Sequence, residues 1–177
     1  MYTDGFKNLK KGDHVLAIFH EEDQSNYALD FVKAGLDNNE RVILMIDSLS
    51  KEEIRNRIRK DEDIKNFDEL EAKKQILIKT SDEMIRWENL HKEKSDFWRH
   101  LTKQAIENEN SGLRIFIDTA GFFKKGTINE LIHFESLLEK NFDFPCIVIC
   151  VYTIKNVKSL NSKQNRSLID HHKSMWI

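Results

Sequence analysis

The 177 residues carry 40% hydrophobic and 33% charged side chains, a balance that excludes disorder and fits one ordinary domain able to bury about two-thirds of its unfolded surface. A net charge of −2 gives no general pull toward nucleic acid or an anionic membrane, so neither is an expected direct partner. No apolar run approaches the roughly 20 residues of a bilayer span, and the amino end MYTDGFKNLKKGDH lacks the apolar centre of a signal peptide.

Five short apolar runs are each followed by helical periodicity. HVLAIF, His14 to Phe19, is followed by a helix expected from about Ser25 to Leu36, closed near Asp37-Asn38-Asn39. RVILMI, Arg41 to Ile46, precedes a helix from Ser50 to about Lys60, where Ser50 and Glu53 have the spacing of a capping box. A charge-rich stretch, Asp61 to Lys74, reads as a solvated helix or loop. QILIK, Gln75 to Lys79, leads through a polar stretch with Met84 and Trp87 to a long helix from about Lys92 to Asn108. LRIFID, Leu113 to Asp118, precedes a helix from about Thr127 to Lys140. CIVICVY, Cys146 to Tyr152, precedes a last helix from about Ser162 to Ser174.

Continuous apolar strands alternating with helices predict a mainly parallel sheet covered on both faces. The single proline, Pro145, stands at the entrance to the fifth strand, where a missing donor does little harm. Cys146 and Cys150, four apart, are about 13 Å apart along a strand, beyond disulfide reach. A reducing cytoplasm is the expected compartment. No repeat or Pro/Gly linker divides residues 1–177, so a single domain is expected.

Ligands of open parallel sheets usually bind beyond the carboxyl ends of the strands. Those ends carry Phe19-His20-Glu21-Glu22, Asp47-Ser48, Thr80-Ser81-Asp82, Asp118-Thr119 and Tyr152-Thr153. The set is acidic and hydroxylic, with no basic residue expected to face a phosphate.

The first unit, HVLAIFHEEDQSNYALDFVKAGLDNNERVILMID, resembles the opening of RecA/KaiC-type ATPases. Their first loop, G-x-x-x-x-G-K-[ST], cradles phosphates with amides and a lysine. Here the loop is His20-Glu21-Glu22-Asp23-Gln24-Ser25, with no glycine, no lysine and three acids that would repel a triphosphate. The segment Gly121 to Thr127, GFFKKGT, looks like a phosphate loop but has threonine where lysine must stand.

The whole chain from about residue 12 resembles the MEDS family, the methanogen/methylotroph sensory domains, which look like RecA-type folds without the phosphate loop. The matching pieces are Gly12-Asp13-His14, Phe31 with Gly35-Leu36 and Glu40-Arg41, Gly112-Leu113-Arg114, Phe134-Glu135, Cys150-x-Tyr152 and a carboxyl-terminal histidine, His172 or His171. Thr153 stands where the family often has aspartate or a similar polar residue, and neither histidine is followed by the proline the family often has. The resemblance implies a three-layer RecA-like sandwich with a five-stranded sheet. It also implies a sensory domain for a small hydrocarbon derivative. No output domain fits in this length, so a standalone domain is expected, signalling through a separate partner such as a sensor kinase or transcription regulator. The alternative is a RecA/KaiC-like protein interaction module without a small-molecule ligand. A homo-oligomer fits either reading.

Two groups of candidate residues follow. His20, Glu22, Asp118, Cys150 and Tyr152 are placed around a ligand pocket at the carboxyl edge. Against this, Asp118 could simply cap its loop, Cys150 could be a buried small hydrophobe, and the acids Glu21, Glu22 and Asp23 could offset a helix dipole rather than bind a cation with Asp118 or Asp47. His14, Glu135 and His172 are brought toward the amino edge by the chain directions, as a metal site or as a hydrogen-bonded network closing the sheet. His14 and His20 share a strand face but stand about 20 Å apart, too far to share an ion. Trp87, Phe97 and Trp98 line a cavity or pack the core. Nothing assembles a nucleophile, base and orienter, so no catalytic residue, no enzyme activity and no cofactor are expected.

Overall fold

The computed structural model describes residues 3–20, 24–90 and 94–176. Its elements run α1 (Thr3–Lys7), β1 (His14–Phe19), α2 (Gln24–Asp37), β2 (Arg41–Met45), α3 (Lys51–Lys60), α4 (Phe67–Ala72), β3 (Ile76–Lys79) and α5 (Ser81–Asn89). They continue with α6 (Lys94–Glu107), β4 (Leu113–Asp118), α7 (Ala120–Lys125), α8 (Ile128–Ser136), β5 (Cys146–Thr153), α9 (Ile154–Ser159), α10 (Ser162–His171) and β6 (Ser174–Trp176).

The strands form one sheet in the order β3-β2-β4-β5-β1-β6, and every pairing is parallel. The five expected strands are all present. The sixth is new: the last helix stops at His171 rather than running to Ser174, and three residues turn back to pair with Val15 to Ala17 of β1. Lys173 donates its amide to the His14 carbonyl at 2.8 Å, guiding the chain into that pairing. The polar stretch after β3 is helical, as α5, and its Thr80–Glu83 capping box is complete, as is the Ser50–Glu53 box of α3. The short helices α1, α7 and α9 were not expected.

Strand alternation divides the core in two. Val15, Ala17 and Phe19 of β1 and Ile147, Ile149 and Val151 of β5 face α1 to α4. Leu16 of β1 and Cys146, Val148, Cys150 and Tyr152 of β5 face the layer of α5 to α8 and α10. Both faces are therefore dry, which is why the strands read as continuous apolar runs. Phe97 and Trp98 are core residues, edge to face with ring centroids 5.0 Å apart, and Trp87 packs on Phe97 at 5.4 Å. Both cysteines are free and buried.

On the α1–α4 face lies a buried ion pair. Arg114 Nε donates to Glu40 Oε2 at 2.6 Å, and its NH1 donates to the Phe6 carbonyl at 2.9 Å. The guanidinium lies 5.1 Å from the centre of the Phe31 ring. Gly35 makes room for it: a Cβ there would lie 2.5 Å from Val42 Cγ2 and 3.1 Å from Arg114 Cδ. Among the described residues no helix is long and apolar enough to cross a membrane.

Candidate functional site

The polar residues of the other face converge under α8. In the β1–β5 register His14 lies beside Val148, Leu16 beside Cys150 and Ile18 beside Tyr152. Period-two alternation puts His14, Cys150 and Tyr152 on the same face, toward α8. Its Leu131, Phe134 and Glu135 are buried. His172 caps α10 with extended backbone and turns its ring onto His14, with centroids 4.1 Å apart.

The loop after α8 fixes the remaining geometry. Gly12 adopts φ +97°, and a Cβ there would meet the Phe142 carbonyl oxygen at 2.6 Å. The pairing of Phe142 N with Gly12 O at 3.0 Å holds this loop against the start of β1. His14 Nδ1 lies 3.0 Å from the Glu139 carbonyl, and His172 Nδ1 lies 2.6 Å from the Leu168 carbonyl. A carbonyl only accepts, so both Nδ1 atoms carry the proton and both Nε2 atoms keep a lone pair.

Those lone pairs face the interior of the cluster. Cys150 Sγ is 3.5 Å from His14 Nε2. Tyr152 donates its hydroxyl to Glu135 Oε1 at 2.5 Å, and Glu135 Oε2 lies 3.9 Å from His172 Nε2. Those last two atoms are buried without a hydrogen-bond partner. None of the five side chains is appreciably exposed: His14, Cys150 and Tyr152 are at 0%, Glu135 at 1% and His172 at 3%. The donor atoms of His14, Cys150 and His172 all lie within 4.8 Å of one another, the one such metal-capable group among the described residues.

Burial sets the protonation states. It lowers His14 to about 3, with nearby His172 adding to the effect, and lowers His172 to about 4. It raises Glu135 to about 7, against the hydrogen bond from Tyr152 that pulls the other way. The Cys150 thiol and the Tyr152 phenol are pushed up by burial and by the neighbouring carboxylate. At neutral pH both imidazoles are uncharged bases and the thiol keeps its proton.

The two groups of residues expected from the sequence are thus partly redistributed. His14, Glu135 and His172 do come together. Cys150 and Tyr152 join them, fully buried. His171 points elsewhere, with Nδ1 2.6 Å from the Ser167 carbonyl. His20 is exposed at the far end of β1, and Glu22, with Glu21 and Asp23, lies outside the described residues. Asp118 is buried and engaged by loop amides: Asp47 N at 3.2 Å, Ser48 N at 2.8 Å and Ala120 N at 2.9 Å.

The carboxyl edge does hold a hollow of about 460 Å³, lined by Ser48, Ala120, Phe123, Lys124, Thr153, Lys155 and Asn156. Its two lysines add basic side chains to an edge whose strand ends are acidic and hydroxylic. Reading only the strand ends missed them, because both stand on the unexpected helices α7 and α9. A second hollow of about 400 Å³ lies between α5 and α8, with Ile85, Phe134 and Leu137 in its wall beside Glu88, Asn89, Asn129, Glu130 and His133. The carbonyls of Glu139 and Leu168 were also missed, and no side-chain pattern announces a backbone acceptor.

Residues 13–172 match the family model described as MEDS: MEthanogen/methylotroph, DcmR Sensory domain. The chain belongs to the MEDS family. No curated protein matches it. The pieces that carry the resemblance divide by location in this MEDS domain. Phe31, Gly35, Glu40 and Arg114 build the buried ion pair on one face of the sheet. His14, Glu135, Cys150, Tyr152 and His172 build the polar cluster on the other.

Proposed function

We propose that this MEDS domain binds a small, largely apolar molecule between α5 and α8 and passes its occupancy to a partner protein, without hydrolysing nucleotide. The observation that carries the reading is the position of α8 between two sites. Its Phe134 lines the hollow while the next residue, Glu135, enters the polar cluster. A guest pressing on Phe134 therefore acts on the helix that holds the cluster, and differential affinity for two arrangements of that helix is what a sensor requires. A cavity of about 400 Å³ with an apolar wall and a few polar rim groups suits a small hydrocarbon derivative. The absence of glycine and lysine between His20 and Ser25 supports a domain without phosphate chemistry.

A thermal-shift screen of simple alcohols, amines and halocarbons tests the proposal. A ligand present at about 100 times its Kd adds about 2.7 kcal/mol, which raises the Tm of a domain of this size by roughly 5–10 °C. Leu137→Trp, filling the hollow, should abolish that rise while leaving the fold intact. If no class stabilises the wild-type protein, the small-molecule reading fails and a purely protein-binding module takes its place.

A further inference from the structure

We propose that His14, Cys150, His172 and Glu135 form a buried binding site for one divalent transition-metal ion of the zinc type. Four observations converge on it. The donor atoms of His14, Cys150 and His172 lie within 4.8 Å of one another, and tetrahedral zinc, with bonds of about 2.0–2.3 Å, needs donors roughly 3.3–3.8 Å apart. Two of the pairs, Cys150 Sγ to His14 Nε2 at 3.5 Å and Glu135 Oε2 to His172 Nε2 at 3.9 Å, are already close to that spacing.

Both histidines are also oriented as metal ligands usually are. Each gives its Nδ1 proton to a backbone carbonyl, of Glu139 or of Leu168, and presents an Nε2 lone pair inward. His172 Nε2 and Glu135 Oε2 have no hydrogen-bond partner in a region closed to solvent. A bound ion would satisfy both at once. Tyr152 holds the other carboxylate oxygen, Oε1, and so turns Oε2 toward the ion. Tyr152 is a positioning residue.

Charge selects the class of ion. On binding, the Cys150 thiol proton leaves to solvent, as does the Glu135 carboxyl proton where present, and metal–sulfur and metal–oxygen bonds form without any redox change. One thiolate and one carboxylate then neutralise the double charge, and two neutral imidazoles complete the set. A neutral centre is the form a buried site tolerates. Mixed nitrogen, sulfur and oxygen donors favour zinc and its neighbours over magnesium or calcium. The site does not depend on the small-molecule reading and stands or falls separately.

The test is cobalt(II) titration of the chelator-stripped full chain at neutral pH. One equivalent should bind, giving the visible bands of tetrahedral cobalt and a sulfur-to-cobalt charge-transfer band, and zinc should displace it. Cys150→Ser should remove the charge-transfer band, whereas Cys146→Ser should keep it. Tyr152→Phe should keep the band and weaken cobalt binding by about 10- to 100-fold. A folded wild-type protein without the band overturns the proposal, whatever the variants do. So does a band that survives Cys150→Ser in a protein shown by circular dichroism to be folded.

Discussion

The Tyr152 hydroxyl donates to Glu135 in a region closed to solvent, so removing it strands an acceptor in the core. Tyr152→Phe should destabilise the metal-stripped protein by about 1–3 kcal/mol in urea unfolding, and a loss near zero would show the hydroxyl to be dispensable. Glu40→Ala should cost more, about 3–5 kcal/mol, because Arg114 keeps a charge with no carboxylate beside it. Replacing both Glu40 and Arg114 with methionine should recover much of that loss in the same assay. At this scale the sequence shows a good deal. Chain direction brings His14, Glu135 and His172 to one end of the sheet. Residue types and alternation place Cys150 and Tyr152 on one face of their strand. The stagger between neighbouring strands is not in those patterns. His14 pairs with Val148, so Cys150 is only two residues along the adjacent strand from His14, and the groups assigned to opposite edges meet.

Among the helices, caps fix where several of them start. The Thr80 side chain accepts from the Glu83 amide, and Glu83 accepts from the Thr80 amide. Thr80→Ala should therefore cost about 1 kcal/mol in thermal or urea unfolding. Glu83 also receives Lys51 Nζ at 2.7 Å. Burial alone would raise its pKa, but Lys51 and the Thr80 amide outweigh burial and hold it below 4.5. A carboxylate depressed in the folded state contributes stability above its unfolded value, and that contribution is lost as pH falls through the folded one. Glu83→Gln should accordingly flatten part of the decline in stability below about pH 4.5, and an unchanged slope would show that the pair contributes nothing. Long amphipathic helices and apolar strands are legible because burial imposes a period on them. Helices of six residues, such as α7 and α9, are too short to display one, and the three-residue β6 shows nothing that a helix end would not.

The whole molecule is a parallel sheet with two unlike faces. One is tied through Glu40 and Arg114, the other through the histidine–cysteine–carboxylate cluster. The closeness of their packing can be probed at Gly35, where Gly35→Ala forces Val42 and Arg114 to move and should cost about 1–3 kcal/mol, measured by chemical unfolding. The alternation of strands and helices makes the α/β class readable in advance. The order of the strands is not, since it depends on which apolar faces meet in three dimensions.

β6 carries a consequence of its own. Its three residues follow His172 almost at once, zip onto Val15 to Ala17, and bring Trp176 to 5.9 Å from the Phe6 ring. The pairing of this segment with β1 is thus a latch that keeps His172 beside His14. Bulk added just beyond Trp176 would pry at that latch, whereas the same bulk on a distant exposed loop would leave it fastened.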